Sequence, residues 1–162
     1  GWDVMTVALT FERAGSGGQE GARILQQFIE WAEQARDDRG QPRLEDPSVR
    51  RAIARVAIRN EVSLLLSHRS MWVSTQGNLP GVQGSMSKLF HSEAFQKTCT
   101  ELLDLLGPEG VLQRDGGESP SEGWIEHAYR HAAVGTIYGG SSEVQREIIA
   151  GRGLGLPRMR PK

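Results

Sequence analysis

Apolar residues in this chain recur every three to four positions over long stretches, and nowhere do they alternate as a strand would require. Between residues 47 and 75, Val49, Ile53, Val56, Ala57, Asn60, Leu64 and Met71 fall on one face of a helix. Leu65 and Leu66 widen that stripe, as burial between neighbouring helices demands. Asp46 is a plausible cap for this helix, with Pro47 in its first turn, where a missing N–H costs nothing. The same period predicts a helix over 19–36 from Ile24, Leu25, Phe28, Ile29, Trp31 and Ala32. A third is predicted over 85–106 from Met86, Leu89, Phe90, Ala94, Phe95, Leu102, Leu103 and Leu106. Shorter helices are expected over 124–134 and 143–150, and an opening one over 2–13 with Val4, Met5, Val7, Ala8, Leu9 and Phe11. Long amphipathic helices with short connections predict an all-α, up-down bundle of about four to five helices. The whole chain, 1–162, reads as one domain, a length that supports a sizeable core.

The connections are marked by glycine and proline. Residues 14–18 form a glycine-rich run that is either a loop or a kink in one long helix. It lacks the lysine and hydroxyl of a nucleotide-phosphate loop, and no strand precedes it. Residues 37–47 and 76–82 read as connections, and 107–110 stops the third helix at Gly107. A second loop covers 111–123, and a basic, proline-containing tail starts at Arg152.

Charge narrows the partners. With 19 basic and 20 acidic residues, the chain has no nucleic-acid footprint and no polybasic membrane face. One cysteine, Cys99, rules out an internal disulfide framework and reads as a core thiol. No apolar run is long enough to span a bilayer, and no signal peptide is visible. The first residue is not Met, and the chain is expected to be part of a longer one. Four histidines, His68, His91, His127 and His131, show no metal-binding pattern beyond the i, i+4 pair His127 and His131. Trp31, Trp72 and Trp124 read as packing or subunit-contact residues. Arg50, Arg51, Arg55 and Arg59 form either a solvated face or partners for a neighbour's acids.

The most informative stretch is 135–150. Gly139 and Gly140 follow Tyr138 and precede Ser141 and Ser142, so a turn feeds the start of a helix. Glycine there permits positive φ and close approach of another group. Ser141 or Ser142 caps the helix, whose free N–H groups favour a polar or anionic ligand. An ordinary capped turn between two helices accounts for the same spacing.

The run from Ile137 through Tyr138, Gly139, Gly140, Ser141, Ser142, Glu143, Val144, Gln145 and Arg146 resembles the C-terminal signature of the acyl-CoA dehydrogenase flavoproteins. Ile148, Ile149 and the stretch 152–158 extend the match. The resemblance implies the C-terminal helical domain of that family, without its N-terminal helical and middle β-domains. It also implies an FAD cofactor and an acyl-CoA substrate oxidised to the 2,3-enoyl thioester. An electron-transfer flavoprotein or similar acceptor follows, as does a homodimer, a homotetramer, or a hetero-oligomer with a related subunit. The compartment implied is the bacterial cytoplasm, or the mitochondrial matrix in a eukaryote. The isolated chain is expected to be inactive and to hold FAD poorly.

In this family a carboxylate removes the α-proton while the β-hydrogen leaves as hydride. Many members carry it directly after the signature tyrosine, where this chain has Gly139. A smaller group supplies it from the first helix of the domain, one residue before an arginine, and Glu12 followed by Arg13 matches that place. The resemblance therefore implies Glu12 as general base, in a dry pocket that raises its basicity. Its alternative is a solvated carboxylate paired with Arg13. Thr10, Phe11, Arg13, Tyr138, Gly139 and Gly140 are the implied substrate-lining residues, with Arg13 near the CoA phosphates. Arg36, Asp104, Gly107, Ser141 and Glu143 are the implied cofactor contacts. Three positions depart from the family pattern: Arg39 replaces an aromatic, Pro47 a glutamine, and Asp104 another glutamine. Such departures leave room for a non-catalytic assembly module that keeps the family shape.

Overall fold

The structure is a computed structural model that describes residues 1, 4, 5, 8, 19–79, 81–113 and 119–157. The glycine-rich run 14–18 lies outside the described residues, as do all but residues 4, 5 and 8 of the expected 2–13 helix. From residue 19 onward the described residues form five α-helices: α1 (Gln19–Gln34), α2 (Pro47–Thr75), α3 (Gly81–Leu106), α4 (Trp124–Gly135) and α5 (Ser142–Ile148). No strand forms among the described residues, only an isolated antiparallel bridge between Arg36 and Pro42. The all-α bundle expected from the apolar period is the architecture observed.

Helix α3 is the shared wall. It packs on α2, α4 and α5, while α1 closes the bundle against α2 and α4. Its inward positions recur at 88, 92, 95, 99, 102 and 106, alternating steps of four and three that keep one stripe facing the core. Phe95, Cys99, Leu102 and Leu106 from that stripe meet Ile24, Phe28 and Ala32 of α1, Val49 and Val56 of α2, and Ile125, Ala128 and Ala132 of α4. Burying a side chain the size of Phe28 completely contributes roughly 1.5–3 kcal/mol.

Several boundaries and one face differ from the sequence reading. Asp46 caps α2 as expected, its carboxylate accepting from the Ser48 N–H at 2.7 Å. Beyond residue 60, however, α2 turns its serines inward. Ser63, Ser67 and Ser70 are buried, while Leu64, Leu65, Met71 and Trp72 face out. Small side chains take little room where helices pack, so the inward face of this half of α2 is lined by serine and its leucines stand on the other. Helix α3 starts at Gly81, four residues before the expected 85, because nothing in Gly81 to Gly84 forbids an early start. α1 stops at Gln34, two residues short, where Arg36 caps it: Nη1 donates to the carbonyls of Glu33 at 2.6 Å and Gln34 at 2.8 Å. The last helix begins at Ser142 and widens into a π-helical turn at Ile149–Gly153 instead of continuing as α-helix through Ala150. Added bulk at Gly153 would press on Val82, with a Cβ 3.0 Å from that side chain.

Candidate functional site

Gly139 and Gly140 adopt φ of +68° and +102°, conformations that exclude nearly every side chain. The turn is held from two directions. Gln145 of α5, fully buried, donates through Nε2 to the Gly139 carbonyl at 3.0 Å and the Gly140 carbonyl at 3.1 Å. From α3, Lys88 Nζ donates to the same Gly140 carbonyl at 2.7 Å. Ser141, not Ser142, is the cap: its Oγ accepts from the Val144 N–H at 3.4 Å. Ser142 N–H instead donates back to the Thr136 carbonyl at 3.0 Å, closing the loop. A hydrogen bond from Ser141 is the main reason the Glu143 carboxyl titrates below its ordinary range, with Arg146 and Lys88 adding to it. Arg146 is tied to Glu93 of α3 at 2.7 Å.

Beside this turn lies a cleft of about 210 Å³. Tyr138 and Gly139 form one wall, Lys88, His91 and Phe95 of α3 another, and Glu20 at the start of α1 stands at the rim. His91 lies parallel to Phe95 with ring centroids 6.0 Å apart. Burial pushes the His91 imidazole below its ordinary value, and the carboxylate of Glu20 only partly opposes this. His91 is therefore neutral at pH 7. The cleft thus combines an apolar floor, a buried ammonium and a backbone stripped of side chains.

A second group of implied contacts gathers at the other end of α3. Asp104 and Ser48 line an open groove with Arg51, Arg55 and Arg59. Arg59 pairs with Glu101 at 2.7 Å, and Arg55 forms an ion pair with the same carboxylate. Burial raises the pKa of Glu101, but the two guanidiniums outweigh it and hold the carboxyl below its usual range. The arginine face of α2 is thus partly neutralised within this chain. Gly107, at φ +73°, ends α3 as a cap glycine. Arg36 belongs to the same end, since its loop is pinned to α3 by Arg43 Nη2 donating to the Leu105 carbonyl at 3.3 Å. Sixteen residues separate Lys88 from Asp104, so the two groups stand roughly 24 Å apart along α3.

The candidates Thr10, Phe11, Glu12 and Arg13 lie outside the described residues. Tyr138, Gly139, Gly140, Ser141 and Glu143 come together at the turn, while Arg36, Asp104 and Gly107 form the distant set. His127 and His131 stack with ring centroids 6.5 Å apart, and no metal-holding group of three ligands exists among the described residues. No described helix is long and apolar enough to cross a membrane. Sequence reasoning missed Lys88, His91, Glu20 and Gln145 as site residues. The signal for Lys88 was present: it is the one charged residue on the inward stripe of α3.

Residues 1–154 match the family model described as acyl-CoA dehydrogenase, C-terminal domain. The chain is 34% identical to the acyl-CoA dehydrogenase IpdE1 of Mycobacterium tuberculosis over 98% of its own length and 39% of that protein. Among solved structures, it matches the steroid acyl-CoA dehydrogenase Tcur3481–Tcur3483 with a TM-score of 0.82 and 32% identity, covering 98% of this chain and 40% of that one. The ChsE4–ChsE5 complex of Mycobacterium tuberculosis matches with a TM-score of 0.76 and 28% identity over 95% of this chain and 36% of that one. The chain thus spans about two-fifths of the length of these relatives.

Proposed function

This chain belongs to the acyl-CoA dehydrogenase family, and from that premise we propose that it supplies the C-terminal helical domain of a flavin-dependent enzyme that desaturates an acyl-CoA thioester. The remaining domains, helical and β, would come from the rest of a longer chain. The observation that carries the proposal is the glycine pair of the turn, bordering an apolar cleft just where the family signature runs. Gly139 borders that cleft and carries no side chain. Its absence leaves room for a bulky acyl group, in keeping with a relative described as a steroid acyl-CoA dehydrogenase.

The FAD cofactor supplies the hydride acceptor. The described residues suit such a group: the bare glycine turn admits a flat ring system, and Lys88 provides positive charge beside it. Ser141 would meet the cofactor from the cap by turning its hydroxyl away from Glu143. At the distant groove, Arg51 has no ion pair among the described residues, which suits a phosphate of a cofactor held by a neighbouring subunit. Asp104 there is offset by Arg51 together with Arg55 and Arg59, the latter two shared with Glu101. Arg36 and Gly107 would complete that contact.

Glu12 would take the α-proton onto its carboxylate as the β-hydrogen leaves with its electron pair, giving the 2,3-enoyl thioester. Supporting this, Glu20 already stands at the rim of the cleft eight residues further on. Thr10, Phe11 and Tyr138 would line the acyl path, and Arg13 would meet the CoA phosphates. The exposed Leu64, Leu65, Met71 and Trp72 give α2 a surface suited to another subunit. We place the enzyme in the bacterial cytoplasm, passing electrons to an electron-transfer flavoprotein or similar acceptor.

The test uses the complete protein carrying this chain, with any partner subunit. Acyl-CoA should bleach its flavin absorbance, and Glu12→Gln should slow bleaching by at least about a hundredfold, the loss common for a general base. Undiminished bleaching in the variant would remove Glu12 from its role. A second reading, a non-catalytic subunit working beside an active one, is favoured by Arg39, Pro47 and Asp104 and by the two-component neighbours. A parent protein that never bleaches alone but restores an active partner would support it.

A further inference from the structure

We infer that Lys88 is the positioning residue that fixes the Gly139–Gly140 turn. Lysine is almost never fully buried without a partner, because the ammonium loses its water. Here it is 5% exposed and sits on the inward stripe of α3, where every other helical turn presents an apolar or small side chain. Its Nζ reaches across 52 residues of sequence to the Gly140 carbonyl at 2.7 Å, a charge-assisted distance.

Two donors meet at that one carbonyl. Gln145 belongs to α5, the helix the turn introduces, and so moves with it. Lys88 belongs to α3 and does not. It alone of the two ties the turn to the body of the bundle, and pulling the carbonyl toward α3 is compatible with the φ of +102° that Gly140 adopts. The same side chain lines the cleft with Tyr138 and Gly139. Lys88 therefore couples the position of the turn to the width of the cleft. On the function proposed above, this sets how the thioester meets the base and cofactor, without Lys88 itself taking a proton.

The experiment compares the complete protein with its Lys88→Met and Lys88→Gln variants by residue-resolved amide exchange. The amides of Ser142, Val144 and Gln145 should exchange about tenfold to a hundredfold faster in Lys88→Met, the range for losing one hydrogen bond to a charged group. Those of α1 and α2 should be unchanged. Lys88→Gln, which keeps a donor, should show a smaller rise and serves if the Met variant does not fold. In the flavin-loaded protein, kcat should fall at unchanged flavin content. Unchanged exchange at the turn would overturn the proposal. So would a uniform rise through α1 and α2, which would make Lys88 a general packing residue. Exchange needs no turnover, so failure of the enzymatic reading leaves this arm readable: faster exchange without bleaching sinks the function and keeps the positioning role.

Discussion

Replacing Gly140 by alanine isolates the strain held in the turn. An L-residue in left-handed conformation costs about 1–2 kcal/mol, and φ of +102° lies beyond the usual basin, so the upper figure applies. Alanine also narrows the unfolded ensemble, which returns about 0.4–1 kcal/mol. The net loss is about 1 kcal/mol, roughly a fivefold drop in the folding constant. With a urea slope of about 2 kcal/mol per molar, the unfolding midpoint should fall by about 0.5 M. The same substitution in a Lys88→Met background should cost less, because the released carbonyl lets the turn relax. A coupling of about 0.5–1 kcal/mol is expected from the four-variant cycle, as for groups in one hydrogen-bond network. Tryptophan fluorescence through urea unfolding measures all four proteins. A neutral or stabilising Gly140→Ala, or costs that add within about 0.3 kcal/mol, would refute the link between ammonium and backbone conformation.

Cys99 is wholly buried and its thiol is pushed up to about 12 by burial, so a thiol reagent should label it only as fast as the protein unfolds. Rapid labelling under native conditions would contradict the core placement. Glu101→Gln removes the carboxylate that holds Arg55 and Arg59; partial exposure tempers the loss to about 1–2 kcal/mol at neutral pH, read from thermal unfolding at fixed salt. Because the folded-state pKa of Glu101 is lowered, its stabilisation is complete above its ordinary 4.5 and disappears as pH falls through the folded value. His91 titrates earlier. Its folded-state pKa is also lowered, so the unfolded chain binds the proton first, and stability should decline as pH falls below the ordinary 6.5. His91→Phe should flatten the stability curve between there and the Glu101 step, and an unchanged slope would show that another group is responsible.

The fold was legible because burial in a bundle writes a 3.6-residue period into α1, α3 and α4, and because Asp46 with Pro47 marks the start of α2 unambiguously. The inward serines of α2 were not legible. Leu64, Leu65 and Met71 carry the apolar signal there, yet helix approach is set by the smallest residues available, and hydropathy does not report that. At the candidate site, the glycine turn and its Ser141 cap could be read locally, since both arise within a few residues. Lys88 could not be assigned to the turn from spacing, because its hydrogen bond crosses 52 residues. Only its place on an otherwise apolar stripe hinted at a role. Gln145 stands within the signature run, but spacing alone assigns it no role, and its amide reaches back to two carbonyls only in the folded turn.

Helix α5 leans mainly on α3 and on the π-helical turn that follows it. Among the described residues it has no substantial packing on α1 or α2, so opening it should leave their contacts with α3 and α4 in place. Peeling of this last helix is therefore the expected local opening, resisted by Lys88 at its leading edge and by Arg146 on Glu93 further along. Heat or denaturant should loosen the glycine turn and its helix first and leave the packing among α1, α2, α3 and α4 in place.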